Sequence, residues 1–152
     1  MKKDKIKKVL IALDYDVTSK KVAEEGYLLA KSMGAETILL HVISELPVYY
    51  SESNYTHEYK VDLLGDLTKT SQAFLDKAKK QLGDEAVQTV LKEGEIADTI
   101  LKTAKVMDVD IIVVGSHNRK WLESMILGSQ AEDVLTNSPI PVLIIPIKKK
   151  ED

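Results

Sequence analysis

The chain has no cysteine, which removes disulfides, thiolate nucleophiles and Cys-ligated zinc from consideration. It lacks an excess of positive charge: the formal net charge is −3, against the basic footprint that non-specific nucleic-acid binding requires. No apolar run approaches the roughly 18 residues of a membrane-spanning helix. The N-terminal MKKDKIKK is basic, but the apolar VLIAL after it is too short for a signal-peptide core, so a cytoplasmic protein is expected, with no membrane or nucleic-acid partner. Several catalytic motifs are missing as well. There is no G-x-x-x-x-G-K-[ST] phosphate loop, no G-x-G-x-x-G after the first strand and no G-x-S-x-G elbow. His41, His57 and His117 lack ligand-like spacing, and no paired acidic clusters offer a hydrolytic metal site. No catalytic residue and no metal ligand set is expected. A histidine inside an apolar strand, as at His41, reads as a hydrogen-bonded core residue.

What is present is a strict alternation of short apolar strands and amphipathic helices. Strands are expected at Lys7–Leu13, Thr37–Val42, Ala86–Leu91, Asp110–Val114 and Val142–Ile147. The first helix is capped by Thr18, Ser19 or Asp16, buries Val22, Ala23, Gly26, Leu29, Ala30 and Met33, and stops at Gly34. A tyrosine-rich stretch from Ser44 to about Tyr59 holds Tyr49, Tyr50, Tyr55 and Tyr59, and reads as a long loop packed on its own domain, with a lid or a partner surface as the other readings. A long helix then reaches Leu82, another spans Glu95–Met107, and a last one covers Gln130–Thr136. Strands without polar alternation, separated by such helices, predict one α/β domain over residues 1–152. The expected sheet is doubly wound and parallel, with five strands in the order 3-2-1-4-5 and helices on both faces.

In that order the switch point lies between strands one and four, and ligands bind there beyond the carboxyl ends of the strands. The loop after strand one supplies Asp14, Tyr15 and Asp16; the loop after strand four supplies Gly115, Ser116, Asn118, Arg119, Gly128 and Ser129. Gly115 would let the backbone turn off the strand close to a ligand, and Gly128–Ser129 would present helix N-terminal amides to an anion, with Arg119 as a cation at the rim. Ser129 and Glu132 also have capping-box spacing, so the serine can equally serve the helix alone. Asp14 is placed either to accept hydrogen bonds from a ribose or base, or to cap a local turn. Trp121 reads as a surface anchor or a loop plug.

Residues 110–146, DIIVVGSHNRKWLESMILGSQAEDVLTNSPIPVLIIP, resemble the C-terminal signature of the universal stress protein family. That signature is a glycine, two residues, a second glycine, nine residues, then Gly-Ser or Gly-Thr. Gly115 is the first glycine here, Asn118 replaces the second, and Gly128–Ser129 complete it. KVLIALDYD, LLHV and KEGEIADTILKTAKVMDVD extend the resemblance over nearly the whole chain. It implies an ATP (or ADP or AMP) ligand, with or without Mg²⁺, and a stress-response or signalling role without catalysis. By the same resemblance Asp14 would meet the adenosine and Val42 would offer backbone contacts to adenine. Gly115, Ser116, Gly128, Ser129 and Gln130 would surround ribose and phosphates. Asn tolerates positive φ better than other non-glycine residues, so the turn at Asn118 can persist. Two further readings are a dimeric interaction module of the same family that holds no nucleotide, and an enzyme cleaving between α- and β-phosphates. The second of these usually carries a Ser-Gly-Gly-rich loop where this chain has ALDYDVTS. The family is commonly homodimeric, and the uncharged edge strand 142–147 suits antiparallel pairing with a second copy.

Overall fold

A computed structural model describes residues 5–44, 57–116 and 129–147. Five parallel strands, β1 (Lys8–Ala12), β2 (Glu36–Ile43), β3 (Gln88–Glu93), β4 (Ile111–Gly115) and β5 (Val142–Ile145), form one sheet in the order β3-β2-β1-β4-β5. Four helices, α1 (Ser19–Ser32), α2 (His57–Leu82), α3 (Ile96–Val106) and α4 (Ser129–Asn137), flank it. The expected order and architecture are therefore correct.

The three inner strands are apolar on both faces because each face meets a helix layer. Val9, Ile11, Leu39 and Val113 pack with Val22, Ala23 and Ala30 of α1 and Leu75 of α2. Leu10, Ile38, Leu40, Ile112 and Val114 pack with Ala97, Ile100 and Ala104 of α3 and Ala131 and Val134 of α4. On α1, Leu29 and Met33 of the expected stripe are only half-buried. Gly34 and Gly83 close α1 and α2 at φ 67° and 69°, the left-handed region that favours glycine.

Element ends differ from expectation where a polar side chain intervenes. β3 starts two residues late because the Asp84 carboxylate accepts the Ala86 N–H and the Asp84 carbonyl accepts the Val87 N–H, so 84–87 turn rather than extend. β4 begins after Asp110, whose buried carboxylate accepts the N–H groups of Lys7 (2.8 Å) and Lys8 (3.0 Å). β5 ends at Ile145, before Pro146, which has no N–H and whose carbonyl accepts the Lys21 ammonium. α2 starts at His57, inside the stretch expected as loop. At α1 the helix-entry chemistry belongs to Asp16: its carboxylate accepts from both the Thr18 N–H and hydroxyl, while Thr18 makes no side-chain cap.

Candidate functional site

α1 and α4 pack on opposite faces of the sheet, and a cleft opens at the carboxyl ends of β1, β2 and β4. Its inner part is narrow, lined by Asp14, Leu40, Val42, Ile96, Gly115 and Gln130 among others. It adjoins a wider chamber of about 410 Å³ bounded by Asp14, Tyr15, His41, Val42, Leu67 and Ser71. Asp14, Val42 and Ile96 line both. The wider volume is in the range of small-molecule sites.

The floor of the cleft is set by where β1 and β2 part. Three hydrogen bonds fix which way the β2 backbone points. Glu36 N–H donates to Lys7 O and Leu40 O accepts from Leu13 N–H, both toward β1, whereas Ile43 O accepts from Gly94 N–H, toward β3. Backbone groups alternate along a strand, so those of Val42 point to the β1 side. β1 has left by then: the ladder between them runs no further than Leu13 N–H to Leu40 O. Among the described residues the Val42 N–H and C=O have no backbone partner on that side, and they lie at the cleft. The Leu13 carbonyl is taken instead by Nδ1 of buried His41, at 2.7 Å. His41 is thus the hydrogen-bonded core histidine that its apolar strand suggests. Its ring also lies edge-on to Phe74, with centroids 5.4 Å apart, and Tyr15 rests on Phe74 at 4.9 Å.

The other wall comes from β4 and α4. Gly115 ends β4 outside the left-handed region, and a Cβ there would stand 3.0 Å from Val22 Cγ2 and 3.5 Å from Ile147 Cδ1. Its lack of a side chain is used by α1 and β5, on the face away from the cleft; only its backbone borders the cleft. Gly115 does not use the left-handed region open to glycine, and β4 ends at it. Ser116 is fully buried, and its hydroxyl accepts the Ile147 N–H at 2.9 Å, joining the exits of β4 and β5. Ser129 is exposed and already helical, and Gln130 follows it into the cleft wall. Gln130 Oε1 is buried and has no hydrogen-bond partner among the described residues. Asn118, Arg119 and Gly128, expected at the site, lie outside the described residues, as do Tyr49, Tyr50, Tyr55, His117 and Trp121.

Two contributors were not legible as site residues. Ile96 lines both parts of the cleft. Glu95 caps α3, its carboxylate accepting from Ala97 N–H (3.2 Å) and Asp98 N–H (2.6 Å). A carboxylate immediately before an apolar helical stripe was the available signal. The anion-binding amides at the start of α3 are consequently occupied from within. Among the described residues no group of three His, Asp or Glu is arranged to hold a metal ion, and no helix is long and apolar enough to cross a membrane.

Comparison with known proteins agrees with this geometry. The profile of the universal stress protein family matches residues 5–146. Universal stress protein YxiE of Bacillus subtilis is 35% identical over 144 residues, 91% of this chain and 97% of that one. The solved structure of MJ0577 of Methanocaldococcus jannaschii, a universal stress protein, superposes with a TM-score of 0.77 at 30% identity, covering 95% of this chain and 99% of that one. UspA of Lactobacillus plantarum, at 20% identity and a TM-score of 0.71, shares the fold over 94% of this chain and 99% of its own. With matched residues running from β1 through β5, this chain belongs to the universal stress protein family.

Proposed function

We propose that the chain binds an adenine nucleotide, ATP in the first instance, between the loops that follow β1 and β4, and holds it as a signalling ligand in a stress response rather than turning it over. One observation carries the reading: a buried amide oxygen, Gln130 Oε1, stands without a partner among the described residues in the wall of a cleft at the switch point. Such an atom costs stability unless something donates to it, and a ribose hydroxyl or a base amino group would do so. The opposite wall supports the same ligand. Val42 offers one N–H and one C=O side by side, the donor and acceptor an adenine edge needs, and Asp14 lines both parts of the cleft with it. Phosphates would lie toward the N-terminus of α4. Mg²⁺, if carried, would arrive on the phosphates, since the described residues supply no cluster for it. A universal stress protein of the same fold (TM-score 0.66, 17% identical) has been solved in complex with cAMP; at that identity the likeness carries the fold alone.

The reading includes a homodimer through β5. Among the described residues β5 pairs only with β4. Leu143 of β5 is exposed, and exposed Leu28 is two turns along α1 from Lys21, whose ammonium reaches the Pro146 carbonyl.

The test is to purify the protein, denature it by heat, identify released nucleotide by chromatography, and record melting curves with Mg-ATP. A ligand at 100 times its Kd stabilises by about 2.7 kcal/mol, several degrees for a domain of this size. Release of ATP or ADP, or that shift, is expected. An unmoved curve with nothing released would leave the dimeric interaction module as the function.

A further inference from the structure

We infer that His41 is the positioning residue that holds the ligand-binding edge of β2 open. The inference deepens the nucleotide reading and rests on it for its functional consequence. In a parallel ladder the rung after Leu13 N–H to Leu40 O runs from Val42 N–H to Leu13 O. That rung is absent among the described backbone bonds, and the carbonyl that would accept it lies 2.7 Å from His41 Nδ1 instead. A carbonyl only accepts, so Nδ1 carries the hydrogen. The ring belongs to the residue immediately before Val42, and its packing against Phe74 fixes its orientation. One side chain therefore substitutes for the last rung. It satisfies the buried Leu13 carbonyl, turns the chain away from β2 at Asp14, and leaves Val42 N–H for a ligand. Without it, the simplest way to satisfy that carbonyl is to close the rung, which spends Val42 N–H inside the sheet.

The test separates this device from nucleotide binding. Amide hydrogen exchange is measured without nucleotide on the wild type, His41→Asn and His41→Leu, comparing Val42 with Leu40, whose residue is inside the β1 ladder. Asn places an N–H close to where Nδ1 stands; Leu places none. The expected result is a Val42 amide slowed at least tenfold relative to Leu40 in His41→Leu, with wild-type behaviour in His41→Asn. Unchanged relative exchange in His41→Leu overturns the inference. Imidazole ¹⁵N shifts of the wild type decide it if the Leu variant does not fold: Nδ1 must be protonated, and a neutral Nε2–H ring overturns it. Titration with Mg-ATP then reads the consequence, an affinity about tenfold weaker in His41→Leu and restored in His41→Asn. Equal affinities in a wild type and a Leu variant that both bind would remove the positioning role. A wild type that binds no Mg-ATP defeats the nucleotide reading, while the exchange data still decide what His41 does.

Discussion

Replacing Gln130 by methionine should move stability and affinity in opposite directions. The two side chains have similar length and similar helix propensity, so α4 itself is barely perturbed. What changes is the amide: Oε1, buried without a partner among the described residues, is lost together with the Nε2 amino group. A buried acceptor left unsatisfied costs about 1–3 kcal/mol, and an apolar group of the same shape removes that cost. For a chain of this length each kcal/mol corresponds to roughly 2–4 °C in melting temperature, so Gln130→Met should melt about 2–12 °C higher without nucleotide. With nucleotide the same change deletes one hydrogen bond, worth about 0.5–1.5 kcal/mol, so Kd for Mg-ATP should rise roughly 2- to 13-fold. Differential scanning calorimetry of the empty protein and titration calorimetry with Mg-ATP read the two effects separately. A variant that is no more stable than wild type would show that the amide oxygen carries no penalty. A more stable variant with unchanged affinity would take Gln130 out of the site. Either result defeats the reasoning that this atom is kept unsatisfied for a ligand.

Asp110→Ala removes the acceptor of two N–H groups at the start of β1, about 2–6 kcal/mol, and should lower the melting temperature by on the order of 10 °C; a fall of less than about 3 °C would contradict it. The Tyr27 hydroxyl donates to Asp84 at 2.7 Å, and this bond, with the Ala86 N–H, holds the Asp84 carboxyl below its ordinary pKa while Asp84 holds the phenol above its own. The carboxyl's contribution to stability is present above its unfolded pKa and lost as pH falls through the depressed folded value. The phenol's is present below its unfolded pKa and lost as pH rises through the raised one. In Tyr27→Phe a ¹³C titration should show Asp84 moving back toward the ordinary carboxylate range, and an unmoved titration would assign the shift elsewhere. Leu143→Arg should convert the homodimer to monomer in sedimentation equilibrium while leaving the melting curve cooperative; a wild type that sediments as a monomer rules the β5 dimer out.

The order of the sheet and the place of the cleft were legible because both follow from patterns that many residues share. Apolar strands between amphipathic helices leave few topologies, and the switch point follows from the strand order. What escaped the sequence depended on single side chains taking up backbone N–H groups. Asp110 reaches across the fold to Lys7 and Lys8, which no local pattern announces, whereas Asp84 makes a local turn with Ala86 that shortens β3 from its start. Gly115 shows the same limit from the other direction. Its place at the end of a strand before a loop suggested backbone freedom for a ligand, and the packing shows a position where a Cβ would stand 3.0 Å from Val22 Cγ2, which would have to give way. A bulky substitution there disturbs the α1 face of the core, and loss of nucleotide binding in such a variant would not identify a ligand contact.

The site can be understood as the set of backbone groups that the chain's own capping leaves over. At the carboxyl edge of a parallel sheet, strand ends and helix starts expose several unpaired N–H and C=O groups together. Here most are taken: Leu13 C=O by His41, Ile147 N–H by the Ser116 hydroxyl, Ala97 and Asp98 N–H by the Glu95 carboxylate. Each of these also carries a direction. Glu95 brings a carboxylate to the N-terminus of α3, so an anion approaching on that side meets charge of its own sign. The first turn of α4 has no such carboxylate at its cap among the described residues, although Glu132 lies within the turn. A ligand that carries a donor–acceptor edge at one end and negative charge at the other is therefore oriented before it makes any specific contact. On the nucleotide reading the edge would go to Val42 and the charge to the N-terminus of α4. Reversing the Glu95 charge by Glu95→Lys should weaken that preference, raising the affinity for inorganic triphosphate relative to ATP; an unchanged ratio would mean that α3 has no part in orienting the ligand.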